Sequence, residues 1–96
     1  MPPKNKKKLI IQRRKLDKLD NKLLNLIKIR TEIIKKIISL KNNKKEIVDK
    51  KRISYILRKI RKASIKRKID PTITNKIWKN MIWSYIDFER KNFRKK

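Results

Sequence analysis

The sequence predicts an all-α chain of three helices, one long and two shorter, which form an intertwined helical homodimer. Near the N-terminus an apolar seven-residue spacing persists for more than four heptads. Asp49 and Asp70 stand where helix caps are expected, and Pro71 follows the second of them. The chain has no glycine, so the tight turns of antiparallel hairpins are not expected.

The first helix is predicted over residues 8–41, after a basic, disordered N-terminus over 1–7. Residues 8–96 are then expected to form a single domain. At the rise of an α-helix, the first helix would be roughly 50 Å long. Its apolar seam occupies two heptad positions, formed by Leu9, Leu16, Leu23 and Ile37 and by Leu19, Leu26, Ile33 and Leu40.

The second and third helices follow a loop at residues 42–45 that breaks the apolar pattern. Asp49 is expected to cap the second helix, which should end near Arg67. Asp70 and Pro71 should start the third helix, which should run to about Phe93. The apolar stripes comprise Ile53, Ile56, Leu57, Ile60 and Ser64 in the second helix and Ile73, Ile77, Trp78, Met81, Ile82, Tyr85, Ile86 and Phe93 in the third.

A dimer is expected because three helices of such unequal length cannot close into a monomeric bundle. The ends of the long helix would project with their apolar seam exposed to water. Pairing the long helices and packing the shorter ones around them removes this exposure.

Composition excludes several kinds of site. The chain has no cysteine and no histidine, so thiolate metal sites, disulfides and the commonest general base are absent. We therefore expect no metal site built from thiolate or imidazole ligands. No apolar run is long enough to span a bilayer, and the N-terminus lacks a signal-peptide core. A cytoplasmic protein without a membrane partner is expected.

The formal net charge of +25 suggests nucleic-acid binding as a first interpretation. However, lysine, isoleucine and asparagine are abundant together, which is typical of a protein encoded by A/T-rich DNA. The lysines also occur along the whole chain. We favour this compositional explanation.

Four charged residues interrupt the apolar pattern or follow its spacing. Arg30 occupies a seam position. A functional role there is about as expected as a structural one, in which the side chain reaches the surface or pairs with a buried carboxylate. Lys41 lies eleven residues later, on nearly the same face, although a lysine at a helix C-terminus is also common. Glu89 lies on the third stripe, where a buried salt bridge is the simpler alternative. Arg13 is seventeen residues before Arg30, so it could join the same site only from a partner chain.

The spaced segments resemble the helical, AroQ-class chorismate mutases over residues 9–93. The resemblance is carried by the run RRKLDKLDNKLL at residues 13–24, by Arg30 and Lys41, and by IVDKKR at 47–52. The segment IWKNMI at 77–82 and Glu89 complete it. Each piece is short, and their order and spacing make the resemblance specific.

The resemblance implies a homodimer of three-helix chains with two shared sites for the dicarboxylate chorismate. Arg13 of the partner chain and Arg30 would bind the substrate carboxylates. Lys41 would contact a carboxylate and the ether oxygen, and Glu89 would bond to that same oxygen. The remaining implied substrate-binding residues are Asp49, Arg52 and Tyr85.

The rearrangement of chorismate to prephenate, a step of aromatic amino-acid biosynthesis, is a single pericyclic step. It needs no nucleophile, metal or cofactor, so a chain without histidine or cysteine can perform it. Holding the compact conformer and stabilising charge on the ether oxygen can supply the catalysis. An ionised Glu89 would repel that oxygen, whereas a protonated one would donate to it. The sequence thus predicts faster turnover at mildly acidic pH or in Glu89→Gln.

Two departures from the family keep other functions open. Ile53 replaces a glutamate that follows the arginine of the second helix, and Tyr85 replaces a frequent serine. Both changes, with the run WSYI at 83–86, resemble isochorismate pyruvate lyases, which give salicylate and pyruvate. We place chorismate mutase first, before the lyase and a non-enzymatic, basic helical nucleic-acid-binding protein. Arg30 on the seam argues against the last, so a nucleic-acid partner is not expected.

Overall fold

A computed structural model describes residues 2–94 as helices joined by short connections. Helix α1 spans Pro3–Leu40, α2 spans Lys50–Lys66 and α3 spans Pro71–Asn92. A short 3-10 helix, Lys44–Glu46, lies between α1 and α2. The described residues contain no strand, so the prediction of one long and two shorter helices is confirmed.

Helix α1 begins at Pro3, five residues before the predicted start. Proline is well tolerated at the first helical position, and the lysines that follow it are good helix formers. The heptad pattern could not reveal this turn, because it contains no apolar seam residue. Residues 3–7 of the predicted disordered N-terminus are therefore helical. Met1, Lys95 and Lys96, which the domain prediction includes, lie outside the described residues.

The connection between α1 and α2 is more ordered than the predicted loop. The backbone N–H of Asn42 donates to the Glu46 carboxylate, at 2.9 Å, and the N–H of Ile47 donates to the Lys44 carbonyl, at 3.2 Å. Ile47 is buried directly after this turn. Because a short 3-10 helix needs no apolar periodicity, the sequence pattern did not distinguish it from an irregular loop.

The chain divides into two compact units, Met1–Ile33 and Ile34–Lys96. The prediction of a single domain over 8–96 stays a prediction. In the described part of the first unit, no residue is buried. Its apolar seam is exposed in the single chain, with exposed fractions from 48% to 60% at Leu16, Leu19, Leu23 and Leu26.

The second unit contains the hydrophobic core. Its buried apolar residues come from the last turn of α1, the connection, α3 and the residue after it: Ile38, Ile47, Ile82, Ile86 and Phe93. Helix α2 packs against α3 and adds half-buried apolar side chains from its predicted stripe. At the other end of α3, Ile73 and Ile77 belong to the predicted stripe but are about half exposed.

A polar contact joins α2 to α3 within the apolar surroundings. Ser64 is buried, and its hydroxyl donates to the Ile60 carbonyl at 2.6 Å. The same hydroxyl lies 2.7 Å from the Thr74 hydroxyl. The bonds satisfy a serine that would otherwise be costly to bury at this stripe position.

The predicted caps are present at the starts of α2 and α3. The Asp49 carboxylate accepts a bond from the backbone N–H of Arg52 at 3.0 Å. The Asp70 carboxylate accepts from Thr72 N–H at 2.9 Å, and Pro71 occupies the first turn. Each bond satisfies a backbone donor that the helix itself leaves without a partner.

Helix α2 ends with a left-handed residue that is not glycine. Lys68 has φ of 58°. The N–H of Ile69 donates to the Ser64 carbonyl at 2.9 Å, and that of Lys68 donates to Ile65 at 3.0 Å. This pair of bonds is the Schellman motif, whose left-handed position favours glycine because a side chain there crowds the backbone.

Replacing Lys68 with glycine is therefore expected to stabilise the chain by about 0.5–1 kcal/mol, after the greater entropy of the unfolded chain is subtracted. Thermal or denaturant unfolding would measure it. Lys62→Gly, inside α2, is the control and should destabilise by about 1 kcal/mol. A lower midpoint for Lys68→Gly would contradict the strain that we assign to this residue.

Candidate functional site

The structure brings Lys41 and Glu89 together, although 47 residues separate them in the chain. Lys41 Nζ lies 3.2 Å from one carboxylate oxygen of Glu89 and 3.5 Å from the other. The exposed fractions of the two side chains are 19% and 6%. This is the predicted buried salt bridge, and it also brings both residues predicted to contact one substrate oxygen to one place.

Local structure explains how each partner reaches this position. Glu89 lies three residues after Ile86 and seven after Ile82, so all three share the buried face of α3. Lys41 directly follows the end of α1, where its backbone N–H donates to the Ile38 carbonyl at 3.2 Å. Ile38 is itself part of the core. The core thus positions both the cation and the carboxylate.

The pair offers a compact set of donors for an anionic ligand. A lysine ammonium has three N–H donors. Among residues 2–94, Glu89 is the only side chain that accepts from Lys41, so donors remain for a bound oxygen. Water is largely excluded from Glu89, which strengthens electrostatic interactions at this point. The pair can therefore stabilise negative charge that develops on a ligand oxygen next to it.

Asp49 and Arg52 lie at the start of α2, where both are exposed. One Asp49 carboxylate oxygen is engaged by the helix cap, at 3.0 Å from Arg52 N. The Arg52 guanidinium lies over the Tyr55 ring, 5.3 Å from its centre. Their assignment to the ring side of a substrate stays a prediction.

Arg13 and Arg30 belong to the first unit. Arg13 is exposed, whereas Arg30 is half-buried and its Nη1 atom is buried. The neighbouring seam residues Leu23 and Ile33 are 48% and 52% exposed in the single chain, so packing along the seam does not account for this burial. Their roles as carboxylate-binding residues stay predictions.

Tyr85 is half-buried on α3, one turn before Glu89. Its ring meets Phe88 edge to face, with ring centres 6.4 Å apart and planes at 83°. Trp78 and Phe88 are also half-buried, while Trp83 is 47% exposed. Phe88 packs against the hydrophobic core of the second unit.

The second unit contains a groove of about 380 Å³ that the sequence did not predict. Apolar side chains form part of its lining, and four polar residues at its edge are Lys35, Ser39, Asn92 and Arg94. Each of these residues lies within three positions of an apolar lining residue. Such spacing occurs along the border of any amphipathic helix, so it carries no specific signal.

The chain matches a known protein family. A model of the family described as chorismate mutase type II matches residues 12–90. The matched region contains Arg13, Arg30, Lys41, Asp49, Arg52, Tyr85 and Glu89. No curated protein and no solved structure matches the chain significantly. Within residues 2–94, no helix combines the length and the apolar character that a bilayer crossing requires.

Proposed function

The chain belongs to the type II chorismate mutase family, and on this premise we propose that the Lys41–Glu89 pair is the centre of its active site. Members of this family are isomerases that rearrange chorismate to prephenate. The observation that supports the assignment is the 3.2 Å contact between Lys41 and Glu89 in a largely water-excluded position. A single substrate oxygen placed beside this contact could bond to both residues.

The chemistry requires positioning and charge stabilisation. In the rearrangement the ether C–O bond breaks while a C–C bond forms, and negative charge develops on the ether oxygen. The Lys41 ammonium would stabilise that charge, and Glu89 would act on the same atom as a hydrogen-bond donor when protonated. Holding the substrate in its compact conformer removes much of the entropic barrier.

Binding of the two substrate carboxylates is assigned to arginines. Arg30 would bind one of them, because a guanidinium can form two parallel bonds to a carboxylate. Arg13 would bind from the partner chain, since a straight helix places it roughly 25 Å from Arg30. Asp49, Arg52 and Tyr85 complete the proposed site.

A homodimer with shared sites follows from this assignment. The exposed leucines of α1 support it, because a long apolar row is rarely left in water on a monomer. We place the enzyme in aromatic amino-acid biosynthesis and in the cytoplasm. The pathway follows from the family, and the location follows from the sequence expectation.

Turnover of chorismate by the purified protein tests the function. Chorismate absorbs in the ultraviolet, and its absorbance should fall as prephenate forms, with saturation in chorismate. Isochorismate, followed by the fluorescence of salicylate, is the comparison substrate. Salicylate formation without loss of chorismate would show a pyruvate lyase and would contradict the mutase.

The carboxylate of Glu89 leads to a specific pH prediction. When it is ionised it neutralises Lys41 and faces the developing oxyanion with like charge, whereas its protonated form donates a bond. We therefore expect the protonated form of Glu89 to support the faster rearrangement. Glu89→Gln, which donates at every pH, should increase kcat at neutral pH about tenfold and flatten the pH profile.

The control for this substitution is Asp87→Asn, which removes an exposed carboxylate from the same helix. Its pH profile should match that of the unaltered enzyme. A folded Glu89→Gln protein with no activity would contradict the proposed donor role. Circular dichroism would show whether the helices are intact.

A further inference from the structure

The positive charge is concentrated in α2. This helix contains eight lysines and arginines and no acidic residue among its 17 residues. By comparison, α1 has 13 basic and three acidic side chains among 38 residues, and α3 has four and two among 22. A/T-rich coding alone would not favour one helix in this way. The distribution calls for a physical explanation of α2.

The cations of α2 lie on the face opposite the core. Four apolar residues of its predicted stripe are half-buried, namely Ile53, Ile56, Leu57 and Ile60. The first three pack against the core. Five cations lie within about 100° of arc on the other side of the helix. All five are exposed, and we call them the α2 ridge: Lys51, Arg58, Lys59, Lys62 and Lys66.

No carboxylate neutralises the α2 ridge within the described residues 2–94. The ion pairs Lys41–Glu89 and Arg90–Asp87 involve no residue of α2. Asp49 and Asp70, which flank the helix in sequence, bond to backbone N–H groups as caps. The ridge is thus a row of like charges whose mutual repulsion an external anion would relieve.

The surface of the ridge has two shallow depressions, both lined by cations. One is lined by Lys59, Lys62, Lys66 and Arg67 beside Ala63, and the Arg67 guanidinium bonds to the Ala63 carbonyl at 3.2 Å. The other is lined by Lys50, Lys51, Ser54 and Arg58. Phosphate groups could sit in such depressions with several cationic donors around them.

We propose that the α2 ridge binds the phosphate backbone of a nucleic-acid duplex, as a second property beside the mutase activity. From Lys51 to Lys66 the ridge extends roughly 22 Å. One strand of a duplex carries one phosphate per about 3.4 Å of duplex axis, so a stretch of axis as long as the ridge contains about six phosphates of that strand. The proposal differs from the sequence-based expectation of no nucleic-acid partner, which relied on Arg30 in the seam and on lysines that occur along the whole chain.

The contacts of the Tyr55 ring favour a duplex over a single strand as the ligand. This is the exposed aromatic residue of the ridge face, at 45% exposure. Arg52 and Lys59 both lie against its ring, at 5.3 and 5.7 Å from the centre. A ring already covered by cations is a poor platform for unstacked bases, which single-strand binding uses.

An anionic membrane is the less suitable partner. A helix that binds a bilayer surface inserts an apolar face. The apolar face of α2 packs into the core of the second unit, so insertion would require unpacking it. A phosphate backbone needs only the exposed charges.

The test measures binding of a labelled DNA duplex of about 20 base pairs between roughly 50 and 200 mM salt. The altered protein carries Lys59→Glu, Lys62→Glu and Lys66→Glu. The control carries Lys15→Glu, Lys18→Glu and Lys22→Glu on α1, with identical spacing and identical change in net charge. The ridge variant should bind at least about tenfold more weakly than the control. Its slope of log affinity against log salt should be smaller by about 2–3, at about 0.9 per lost phosphate contact.

Equal losses in both variants would overturn the proposal, because diffuse net charge would then explain the binding. Tighter binding of a single strand of the same length would also overturn it. So would a ridge variant that loses only its binding to vesicles containing phosphatidylserine. Circular dichroism checks folding. If the reversed charges perturb α2, the comparison is repeated with neutral variants, Lys59→Gln, Lys62→Gln and Lys66→Gln against the same change at Lys15, Lys18 and Lys22. The ridge variant should again bind more weakly than the control.

Discussion

Replacing Lys41 with glutamine is expected to lower kcat for chorismate about 100- to 1000-fold, the usual loss when one preorganised donor to a developing oxyanion is removed. In the unaltered protein the lysine nitrogen lies 3.2 Å from the Glu89 carboxylate. Glutamine keeps a hydrogen-bond donor for Glu89 but cannot supply a positive charge. A substitution by an apolar residue would instead leave Glu89 buried without a partner and would destabilise the fold. Stopped or continuous absorbance assays of chorismate give kcat and KM separately.

Lys36→Gln provides the matched control for Lys41→Gln. Lys36 is an exposed lysine in the last part of α1, five residues before Lys41, so its loss removes the same charge without touching the ion pair. Its kcat should remain within a factor of about two, since a distant surface charge is screened by salt. A decrease of less than about tenfold for Lys41→Gln, with the helices intact, would remove Lys41 from the catalytic group.

Disrupting the seam of α1 is expected to abolish turnover. Leu19→Glu together with Leu26→Glu places two charges on a row of residues that are 52% and 60% exposed in the single chain. If two chains pair along this row, burying those carboxylates without partners would prevent assembly. Sedimentation would then show a monomer, and kcat/KM should fall more than about 100-fold because Arg13 would no longer reach the partner's site.

The control for the seam keeps the spacing and changes the face. Lys18→Glu with Asn25→Glu is also seven residues apart, on the side of α1 away from the seam. This variant should remain dimeric and active. A monomeric but fully active seam variant would contradict the shared site.

Mixed dimers test the sharing of the site directly. Arg13→Ala and Arg30→Ala should each be nearly inactive alone. Coexpressed at equal levels, they should form heterodimers in half of the molecules, and each heterodimer would have one intact site and one doubly altered site. Activity should therefore recover to about a quarter of the unaltered level, as expected for an isologous dimer. No recovery, despite mixed dimers, would place both arginines in one chain's site or outside it.

Much of the fold could be predicted from local signals. The seven-residue spacing of Leu16, Leu23 and their neighbours required α1, because only a helix brings those residues to one side. Asp49 and Asp70 marked two helix starts, since their carboxylates satisfy backbone donors two or three residues ahead. The start at Pro3 and the 3-10 turn at Lys44–Glu46 could not be predicted, because neither involves an apolar pattern.

Only part of the candidate site could be predicted from such local signals. The sequence marked Glu89 as a candidate because a carboxylate on an apolar stripe needs a partner. It marked Lys41 because this residue follows Arg30 at a spacing that returns to nearly the same helix face. Neither pattern indicates that the two residues meet. The left-handed Lys68 had no signal at all, since nothing marks a lysine for a position that usually favours glycine.

The sequence by itself determined the helices, the two caps, the apolar faces and the family, because each depends on neighbours a few residues apart or on an ordered set of spacings. The tertiary structure decided which apolar residues are buried and that Lys41 and Glu89 form one ion pair. It also decided that the cations of α2 lie away from the core. These properties depend on packing between segments that are distant in sequence, such as those of Lys41 and Glu89, 48 positions apart. The free energy of such packing is set by groups that come together only when the chain has folded.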